Sequence, residues 1–253
     1  MNPLKKIVYN KCIPFIGRMM ASKNRYCNVI YYHDIVQGEG HSFMRTNIEL
    51  FKKQMQLLAE NGVETLRFDD LADTEKQLFR KNRVLITFDD GWASNYSEIF
   101  EFMKSLGIKY NVFLAVGLIG NDPRYLTWDM IREMHDSGIC GFGTHTYSHT
   151  DASQLDDECY TKEIVQADTI FQKELGYAPK DFCYPYGKCS TAANLRLTEE
   201  SGYERIYQSN MMYSYCMNGK IIMGRNGISN DEPMSVFNGK WKGFYNIFSL
   251  IKH

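Results

Sequence analysis

Two groups of polar residues in this chain have the types and spacing that metal-assisted chemistry requires. The first is the adjacent pair Asp89 and Asp90, which follows the apolar run 84–88 and precedes Gly91. Such a run is typical of a fully buried strand. Because a buried carboxylate is costly unless it is paired or bound to a metal, a strand that ends in two aspartates favours a cation site. On these residues alone, a polar Asp-Gly turn is an equally good interpretation.

The second group is the histidine pair His145 and His149. On a helical turn, residues i and i+4 share a face, so both imidazoles would reach one ion. Two histidines and one carboxylate with open coordination positions form sites for hydrolytic and redox metals. Together with the aspartates, the pair predicts metal-assisted hydrolysis of an acyl bond. One aspartate would be a metal ligand, and the other would take a proton from the attacking water.

The elements that must bring these groups together alternate between strand and helix. Apolar runs predict strands at 27–32, 63–66, 84–88, 110–116, 139–142 and 182–184, with further candidates at 203–207 and 220–223. Apolar periodicity and capping residues predict helices at 47–60, 68–79, 95–106, 128–137, 156–175 and 191–201. This alternation predicts an α/β fold with a parallel sheet, either a closed barrel or, as second choice, an open doubly wound sheet.

In either architecture, the residues that follow the strands meet at one rim. Parallel strands place their carboxyl ends on the same side of the sheet, where function gathers. Polar or turn-forming residues directly follow several predicted strands: His33, Asp89, Asp90, His145, His149, Pro185 and Tyr186. Segments far apart in sequence are therefore expected to form one site.

Composition excludes several other classes of protein. The chain has 253 residues, 44% of them hydrophobic and 23% charged, as in an ordinary globular protein. Its formal net charge of -1, without a long run of one sign, excludes a nucleic-acid partner. Seven cysteines without a CxxC pair indicate neither a disulfide framework nor a zinc ribbon, and they fit a reducing compartment.

The two ends of the chain are expected to flank the main domain. We predict an N-terminal extension at 1–26, the catalytic domain at 27–230, and a helical C-terminal tail at 231–253 packed on that domain. The N-terminal apolar patch is shorter than a signal peptide requires, and no segment approaches the ~18 apolar residues of a spanning helix. We therefore expect a cytoplasmic protein without a transmembrane segment. The aromatic and basic tail leaves peripheral membrane contact open, although packing on the domain is favoured.

The motifs resemble those of the polysaccharide deacetylases (the NodB-homology domain, carbohydrate esterase family four). Residues 87–91, Thr-Phe-Asp-Asp-Gly, resemble the family's first motif, and residues 145–149, His-Thr-Tyr-Ser-His, resemble its second. Residues 182–187 resemble the third motif, and residues 31–34 resemble the exopolysaccharide and intracellular-adhesin deacetylase branch. The resemblance covers about residues 27–230 and implies a distorted (β/α) barrel of seven or eight strands.

The resemblance also implies a role for each motif residue. Asp90, His145 and His149 would hold a divalent metal, most often zinc in this family, and such a ligand set also accepts cobalt, nickel or iron(II). Asp89 would be the general base. The backbone amide of Tyr186 would help to hold the oxyanion of the tetrahedral intermediate.

The chain departs from the family pattern at two places. Many members begin the third motif with an arginine that orients the base, and here Cys183 stands at that position. Many members also supply a histidine from a fifth motif as general acid, and the matching region 221–228 has none. His33 is on the predicted rim, and it is a candidate for that acid or for a substrate ligand. The alternative for His33 is a hydrogen-bonded supporting role.

Three further residues are assigned to the substrate. Tyr184 and Pro185 belong to the third motif, and Arg225 lies in the region of the fifth. For Arg225, the alternatives are an ion pair with a carboxylate of the rim and a purely structural ion pair.

The resemblance predicts a metal-dependent hydrolase that removes the N-acetyl group from an acetamido sugar and releases acetate. The substrate would be a polysaccharide, an oligosaccharide or a glycolipid precursor. Two alternatives stay open, namely an amidohydrolase of this fold that acts on a small non-sugar amide, and a degenerate member that binds sugar without turnover. The missing arginine and histidine motivate the second alternative, and the intact aspartates and histidines oppose it.

Overall fold

A computed structural model describes residues 6–40, 44–151, 155–187 and 201–250 of the chain. Its centre is a sheet of parallel strands in which sequence neighbours mostly pair with each other. The main strands are β1 (Asn28–Tyr32), β4 (Glu64–Leu66), β5 (Arg83–Phe88), β6 (Tyr110–Leu114), β7 (Cys140–Thr144), β8 (Asp181–Cys183), β9 (Arg205–Gln208), β11 (Lys220–Gly224) and β12 (Asn226–Gly227). Smaller pairings are formed by β2 (Asp34–Val36) with β3 (Arg45–Asn47), and by β10 (Tyr215–Met217) with β11.

The sheet closes into a barrel through two consecutive strands of one segment. β11 pairs in parallel with β9, and β12 pairs in parallel with β1, so the segment bridges the first and last strands of the sheet. Arg225 is the single residue between these two strands. The fold is therefore the closed α/β barrel that the sequence predicted, and the open sheet is wrong.

The barrel is distorted where β4, β5 and β6 meet. β4 pairs with the first half of β5, whereas β6 pairs with the end of β5 at Thr87 and Phe88. The buried Asn111 side chain fills the split, because its Oδ1 accepts from the Phe68 amide and its Nδ2 donates to the carbonyls of Leu66 and Ile86. A side-chain amide thus satisfies backbone groups that a regular ladder would have paired. Because β4 pairs with only one part of β5, the barrel formed by the described residues has seven complete strands, or eight if β4 is counted.

Helices connect the strands on the outside of the barrel. The helices are α1 (Ile13–Met20), α2 (Ile48–Glu60), α3 (Thr74–Gln77), α4 (Ser94–Ser97), α5 (Phe100–Ser105), α6 (Trp128–Asp136), α7 (Asp157–Tyr160), α8 (Gln166–Leu175) and α9 (Met234–Trp241). Side chains begin two of them as predicted, since Asn47 accepts from the Glu49 and Leu50 amides and Thr127 accepts from the Met130 amide. Gly176 ends α8 in the left-handed conformation at φ 80°.

Two predicted helices are not continuous, and these predictions are corrected. The helix predicted at 68–79 is a 3₁₀ turn (Asp69–Ala72) followed by α3, because Asp73 takes an extended conformation and caps the Glu75 amide. The helix predicted at 95–106 breaks into α4 and α5 at Ile99, where φ is -123°. The helix predicted at 156–175 is unbroken from Asp157 to Leu175, and it contains a π-helical segment, Thr161–Val165, between α7 and α8. The helix predicted at 191–201 lies almost entirely outside the described residues.

The core has an inner and an outer layer. The outer and larger cluster packs the strands against the helices, for example Phe88 against Phe51 and Tyr110. The inner cluster fills the barrel with buried side chains from facing strands: Cys27, Val29, Leu66, Phe68, Leu71, Leu85, Phe113, Cys183, Tyr207, Ile221 and Met223. The barrel interior is therefore packed, and in barrels of this kind function gathers at the carboxyl ends of the strands.

The N-terminal helix and the C-terminal segment pack on each other beside the barrel. α1 contacts a 3₁₀ segment, Phe244–Leu250, and Asn28 Nδ2 at the start of β1 donates to the Trp241 carbonyl. Among the described residues, no helix is both long enough and apolar enough to cross a membrane.

Candidate metal-dependent active site

The two aspartates at the end of β5 point to different places because the backbone turns between them. Asp90 lies in the left-handed region at φ 74°, and Gly91 follows at φ 83°. A non-glycine residue rarely adopts this conformation unless its surroundings impose it. The turn separates two side chains that would otherwise repel each other. Asp89 and Asp90 are buried, at 2% and 6% exposure, so both need partners.

Asp90, His145 and His149 form a group whose ligand atoms lie within 4.8 Å of one another. Asp90 Oδ1 is 3.1 Å from His149 Nε2 and 3.5 Å from His145 Nε2. This buried oxygen has no hydrogen bond of acceptable geometry. An orphaned carboxylate oxygen facing two imidazole nitrogens fits a divalent metal with one carboxylate and two histidine ligands.

A backbone contact orients His145 for this role. Its Nδ1 lies 2.7 Å from the Cys183 carbonyl, which can only accept, so Nδ1 carries the proton and the Nε2 lone pair faces Asp90. Burial lowers the pKa of His145 to about 4, which keeps the ring neutral. Burial alone would raise the pKa of Asp90, but the adjacent imidazoles lower it well below its usual range. A neutral imidazole and an ionised carboxylate are the forms that bind metal.

The histidine pair does not lie on a helical turn, so that part of the prediction is wrong. Residues 145–149 form an irregular loop after β7, and Thr146 and His149 have positive φ of 64° and 61°. The loop is held by Glu163, whose carboxylate accepts from the Ser148 amide at 2.8 Å and from the Ser148 hydroxyl at 2.7 Å. Glu163 lies in the π-helical segment and had no local signal in the sequence. π-helical bulges are often associated with functional sites.

Trp92 is a second supporting residue that the sequence did not reveal. Its indole Nε1 donates to Asp90 Oδ2 at 2.9 Å, and its ring stacks on Tyr125 with centroids 4.8 Å apart. The indole therefore fixes the outer oxygen of Asp90 and turns Oδ1 toward the histidines. The adjacency Asp-Asp-Gly-Trp was the only available signal.

Asp89 is held by a guanidinium from a segment 136 residues further along the chain. Arg225 donates to Asp89 Oδ1 at 2.6 Å and to Oδ2 at 2.8 Å, and it lies 4.4 Å from the centre of the Tyr31 ring. Burial would raise the pKa of Asp89, but Arg225 lowers it below its usual range, so this carboxylate stays ionised. The arginine that is missing from the third motif is thus supplied from between β11 and β12, and Cys183 Sγ lies 4.0 Å from Asp89 Oδ1.

His33 lies beside the same carboxylate. Its Nε2 is 3.8 Å from Asp89 Oδ2, and its ring lies edge-on to Tyr31 with centroids 5.6 Å apart. The Asn95 side chain donates to the His33 carbonyl and fixes the backbone there. The structure therefore brings His33 to the rim.

The third-motif residues divide between the surface and the interior. Tyr186 is 65% exposed, and its ring contacts His149 edge-on at 4.7 Å. Tyr184 is fully buried against Phe182, and Pro185 is buried as well, so these side chains support the loop from behind. The substrate contacts predicted for the side chains of Tyr184 and Pro185 are therefore not seen at the cavity. Fully buried Arg225 is likewise committed to Asp89, which favours the ion-pair alternative stated for it.

These side chains surround one cavity of about 410 Å³ at the carboxyl end of the barrel. It is lined by Tyr31, His33, Met44, Asp89, Asp90, His145, His149, Tyr186, Gly187 and Ser209. The backbone around it is unusual, because four of the five described non-glycine residues with positive φ are at this site: Asp90, Thr146, His149 and Tyr186. Strained backbone of this kind clusters where side chains must be aimed at a ligand.

Comparison with known proteins agrees with this geometry. Residues 76–206, which are about half of the chain, match the family model described as Polysaccharide deacetylase. That stretch includes both aspartates, both histidines and the third motif.

Two curated relatives carry deacetylase names. The Bacillus subtilis (strain 168) protein YxkH, named as a polysaccharide deacetylase, is 28% identical over 178 residues, which cover 70% of this chain and 62% of the relative. This chain therefore spans less than two thirds of that relative. A poly-beta-1,6-N-acetyl-D-glucosamine N-deacetylase of Staphylococcus aureus (strain MRSA252) is 21% identical over 268 residues, which cover 96% of this chain and 88% of the relative.

A solved structure has the same fold. The Streptococcus pyogenes deacetylase PplD in complex with acetate superposes with a TM-score of 0.74 at 21% identity, covering 86% of this chain and 99% of that one. At this identity the likeness establishes the barrel fold of the chain.

Proposed function

This chain belongs to the polysaccharide deacetylase family, and we propose that it is a metal-dependent carbohydrate N-deacetylase. The reaction is hydrolysis of the acetamide group on an N-acetylated sugar. Water adds to the acetyl carbonyl, the carbon–nitrogen bond breaks, and the products are acetate and a free amine on the sugar. The names of two relatives support a glycan substrate, since one names a polysaccharide and the other a polymer of N-acetylglucosamine.

One observation carries the proposal, namely the different environments of Asp89 and Asp90. Asp90 faces His145 and His149 with an orphaned oxygen, as a metal ligand would. Asp89 faces the same cavity but is held by Arg225. A protein that only binds sugar has no need for a second ionised carboxylate beside the metal ligands.

The residues of the chain have distinct tasks in the reaction. A divalent metal held by Asp90, His145 and His149 would polarise the acetyl carbonyl and lower the pKa of water from about 15.7 toward roughly 7. Asp89 accepts the proton of the attacking water, and Arg225 keeps the carboxylate ionised and oriented for that transfer. Asp89, Asp90 and His145 are buried, so the charge that develops on the acetyl oxygen would lie in surroundings of low polarity, where hydrogen-bond donors stabilise it more than in water.

Two assignments concern the later half of the reaction. The backbone amide of Tyr186 would donate to the oxyanion of the tetrahedral intermediate, and the left-handed conformation at φ 60° aims this peptide. His33 would donate the proton to the leaving amine. It lines the cavity, and its Nε2 is 3.8 Å from Asp89 Oδ2, so a proton taken by Asp89 has a short route back to the substrate.

We propose zinc as the metal. One carboxylate and two imidazoles with room for further ligands are typical of catalytic zinc. The same donor set also accepts cobalt, nickel or iron(II), so metal analysis of the purified protein is the direct measurement.

The decisive experiment measures acetate release from N-acetylglucosamine oligomers and from lipid- or nucleotide-linked acetamido sugars, with and without chelator. Asp90→Ala should lose both metal and activity. Asp89→Asn should keep its metal but lose about 10²- to 10⁴-fold in kcat, because the general base is gone. His33→Ala should lower kcat more than it changes KM.

Two outcomes would contradict this assignment. Full activity of Asp89→Asn on the best substrate would remove Asp89 as base. Metal binding without acetate release from any acetamido sugar would leave a sugar-binding protein or an amidase for another amide. His135→Ala is a matched histidine control, because His135 lies on α6 and contacts Tyr177 away from the cavity.

A further inference from the structure

The N-terminal part of the chain has a charge balance unlike the rest. Residues 1–33 contain six lysines and arginines and no aspartate or glutamate, whereas the whole chain has a formal net charge of -1. None of these cations belongs to the active site. A local excess of this kind indicates a surface that meets an anionic partner.

The helix α1 in this part presents an apolar face to solvent. Phe15 is 68% exposed, Met19 is 73% exposed, and Ile16 is 44% exposed. Their spacing of three and four residues puts them on one side of the helix. A contiguous exposed apolar face indicates a contact with another surface.

The opposite side of α1 fixes this orientation. Gly17 lies so close to the C-terminal segment that a Cβ there would be 1.8 Å from the Phe244 carbonyl oxygen. Ile13 is buried in the same contact, in a cluster with Val236 and Tyr245. Because α1 packs against the C-terminal segment through Gly17, its apolar face cannot turn inward without breaking this packing.

A basic cavity of about 380 Å³ adjoins the apolar face. It is lined by Arg18, Ala21, Phe79, Lys81, Lys242 and Phe244. Within the described part of the chain, none of its three cations has a carboxylate within ion-pair distance. Burial and the nearby Arg18 guanidinium lower the pKa of Lys242. Like charges held around one cavity without a counter-ion favour a bound anion.

We propose that α1 and this basic cavity form a docking surface for a membrane that contains anionic phospholipid. Phe15, Ile16 and Met19 would enter the boundary between headgroups and acyl chains, and Arg18, Lys81 and Lys242 would bind a lipid phosphate. An amphipathic helix with basic residues beside its apolar face has the composition of a membrane-surface helix. A cavity that holds a phosphate and a face that enters the acyl region fit a phospholipid better than either a soluble anion or a protein partner.

The position of this surface leaves the active site free. Lys81 precedes β5, and Lys242 adjoins Gly243, where an added Cβ would clash with the Asn28 side chain at the start of β1. The docking surface is thus at the amino ends of these strands, whereas the catalytic cavity is at their carboxyl ends. The docked enzyme would work on glycan that extends away from the lipid surface, and docking is independent of the function proposed above.

Vesicle flotation with the full chain tests the docking surface. The protein should float with vesicles of phosphatidylcholine mixed with phosphatidylglycerol, and it should stay at the bottom with phosphatidylcholine alone. Raising the salt concentration should release it, because anionic headgroups attract cations less when screened. Inorganic phosphate at equal ionic strength should release no more protein than chloride does.

Two sets of variants separate the two parts of the surface. Each of Arg18→Gln, Lys81→Gln and Lys242→Gln should weaken binding to anionic vesicles about fivefold. Phe15→Ser with Met19→Ser should weaken it at least about tenfold at all salt concentrations. All these side chains are at least partly exposed, so the fold should persist, which circular dichroism checks.

A matched control is the pair Lys162→Gln and Val165→Ser, an exposed cation and an exposed apolar residue on another helical segment. Equal loss of binding in this control would overturn the proposal. Flotation with neutral vesicles, or unchanged flotation of the cation variants, would overturn the phosphate site. If the wild type does not float but forms a dimer that Phe15→Ser abolishes, the face joins two copies of the chain and the membrane proposal is wrong.

Discussion

Two buried arginine–aspartate pairs lie at opposite ends of this barrel, and each is joined by two hydrogen bonds of the same lengths. At the carboxyl end, Arg225 contacts both oxygens of Asp89 at 2.6 and 2.8 Å. At the amino end, Arg205 contacts both oxygens of Asp181 at 2.6 and 2.8 Å. Each pair also borders a cavity, of about 410 Å³ and 400 Å³ respectively. Neither a buried ion pair nor a cavity therefore identifies the active site.

The difference lies in what surrounds each pair. Asp181 also accepts from the Tyr207 hydroxyl at 2.9 Å, and Asp181 and Arg205 both belong to regular strands. Asp89 adjoins Asp90, whose buried oxygen has no hydrogen bond and whose backbone is left-handed. A satisfied pair on regular backbone stabilises the fold, whereas a pair beside orphaned lone pairs and strained backbone supports chemistry.

The largest expected effects come from breaking each pair in the same way. Arg205→Met should lower the free energy of unfolding by about 3–5 kcal/mol, because it leaves Asp181 buried without its cation. Its kcat/KM per folded molecule should stay near the wild-type value. Arg225→Met should lower the free energy of unfolding to a similar degree. It should in addition lower kcat/KM by about 10²-fold or more, since Asp89 loses its orienting partner. Denaturant titration and steady-state kinetics measure the two quantities.

The double variant Arg205→Met with Asp181→Leu is the control for the amino-end pair. Replacing both partners of a buried pair is often neutral, so most of the lost stability should return. Wild-type kcat/KM in Arg225→Met would show that both pairs are merely structural.

A smaller effect is expected from Trp92, which belongs to the carboxyl-end site alone. Trp92→Phe keeps the ring against Tyr125 but removes the hydrogen bond to Asp90 Oδ2. Loss of a group that orients a ligand usually weakens metal binding by about 10- to 100-fold. Competition with a chromophoric chelator measures this affinity. Trp128→Phe on α6 is the matched control, and an equal loss there would remove the special role of the Trp92 indole.

The smallest effect concerns a carboxyl group that has no cation within ion-pair distance in the described part of the chain. Asp168 on α8 accepts from the Tyr203 hydroxyl at 2.7 Å, and burial raises its pKa from 3.8 to about 7. Because the folded pKa is raised, the folded state binds more protons between these values, and stability falls as pH rises through this window. Asp168→Asn removes the titration and keeps an acceptor for Tyr203. From about pH 5 to about pH 8, the free energy of unfolding of this variant should increase relative to that of the wild type by roughly 2 kcal/mol. Its thermal midpoint should rise relative to the wild type over the same range.

Glu158→Gln on exposed α7 is the control for this pH series and should show no such change. If the midpoint of Asp168→Asn fell with pH in parallel with the wild type, the raised pKa would be wrong.

Most of the framework followed from local patterns. The strand β5, the starts of α2 and α6, and the end of α8 were all predicted, because each depends on neighbours within a few residues. The breaks at Asp73 and Ile99 were not predicted. There, a local cap or tertiary packing overrides a helical apolar pattern.

The active site, too, was determined partly by local sequence and partly by tertiary structure. The sequence by itself determined the metal-ligand candidates and the adjacent carboxylates, because the residue types and their place after buried strands already restrict the chemistry. The residue types left open which aspartate faces the histidines; the family resemblance pointed to Asp90, and the left-handed turn at Asp90 is what places it there. Only the tertiary structure decided that Arg225 takes the place of the third-motif arginine, where this chain has Cys183. Arg225 and Asp89 are 136 residues apart, and only barrel closure through β11 and β12 brings the guanidinium to the carboxylate.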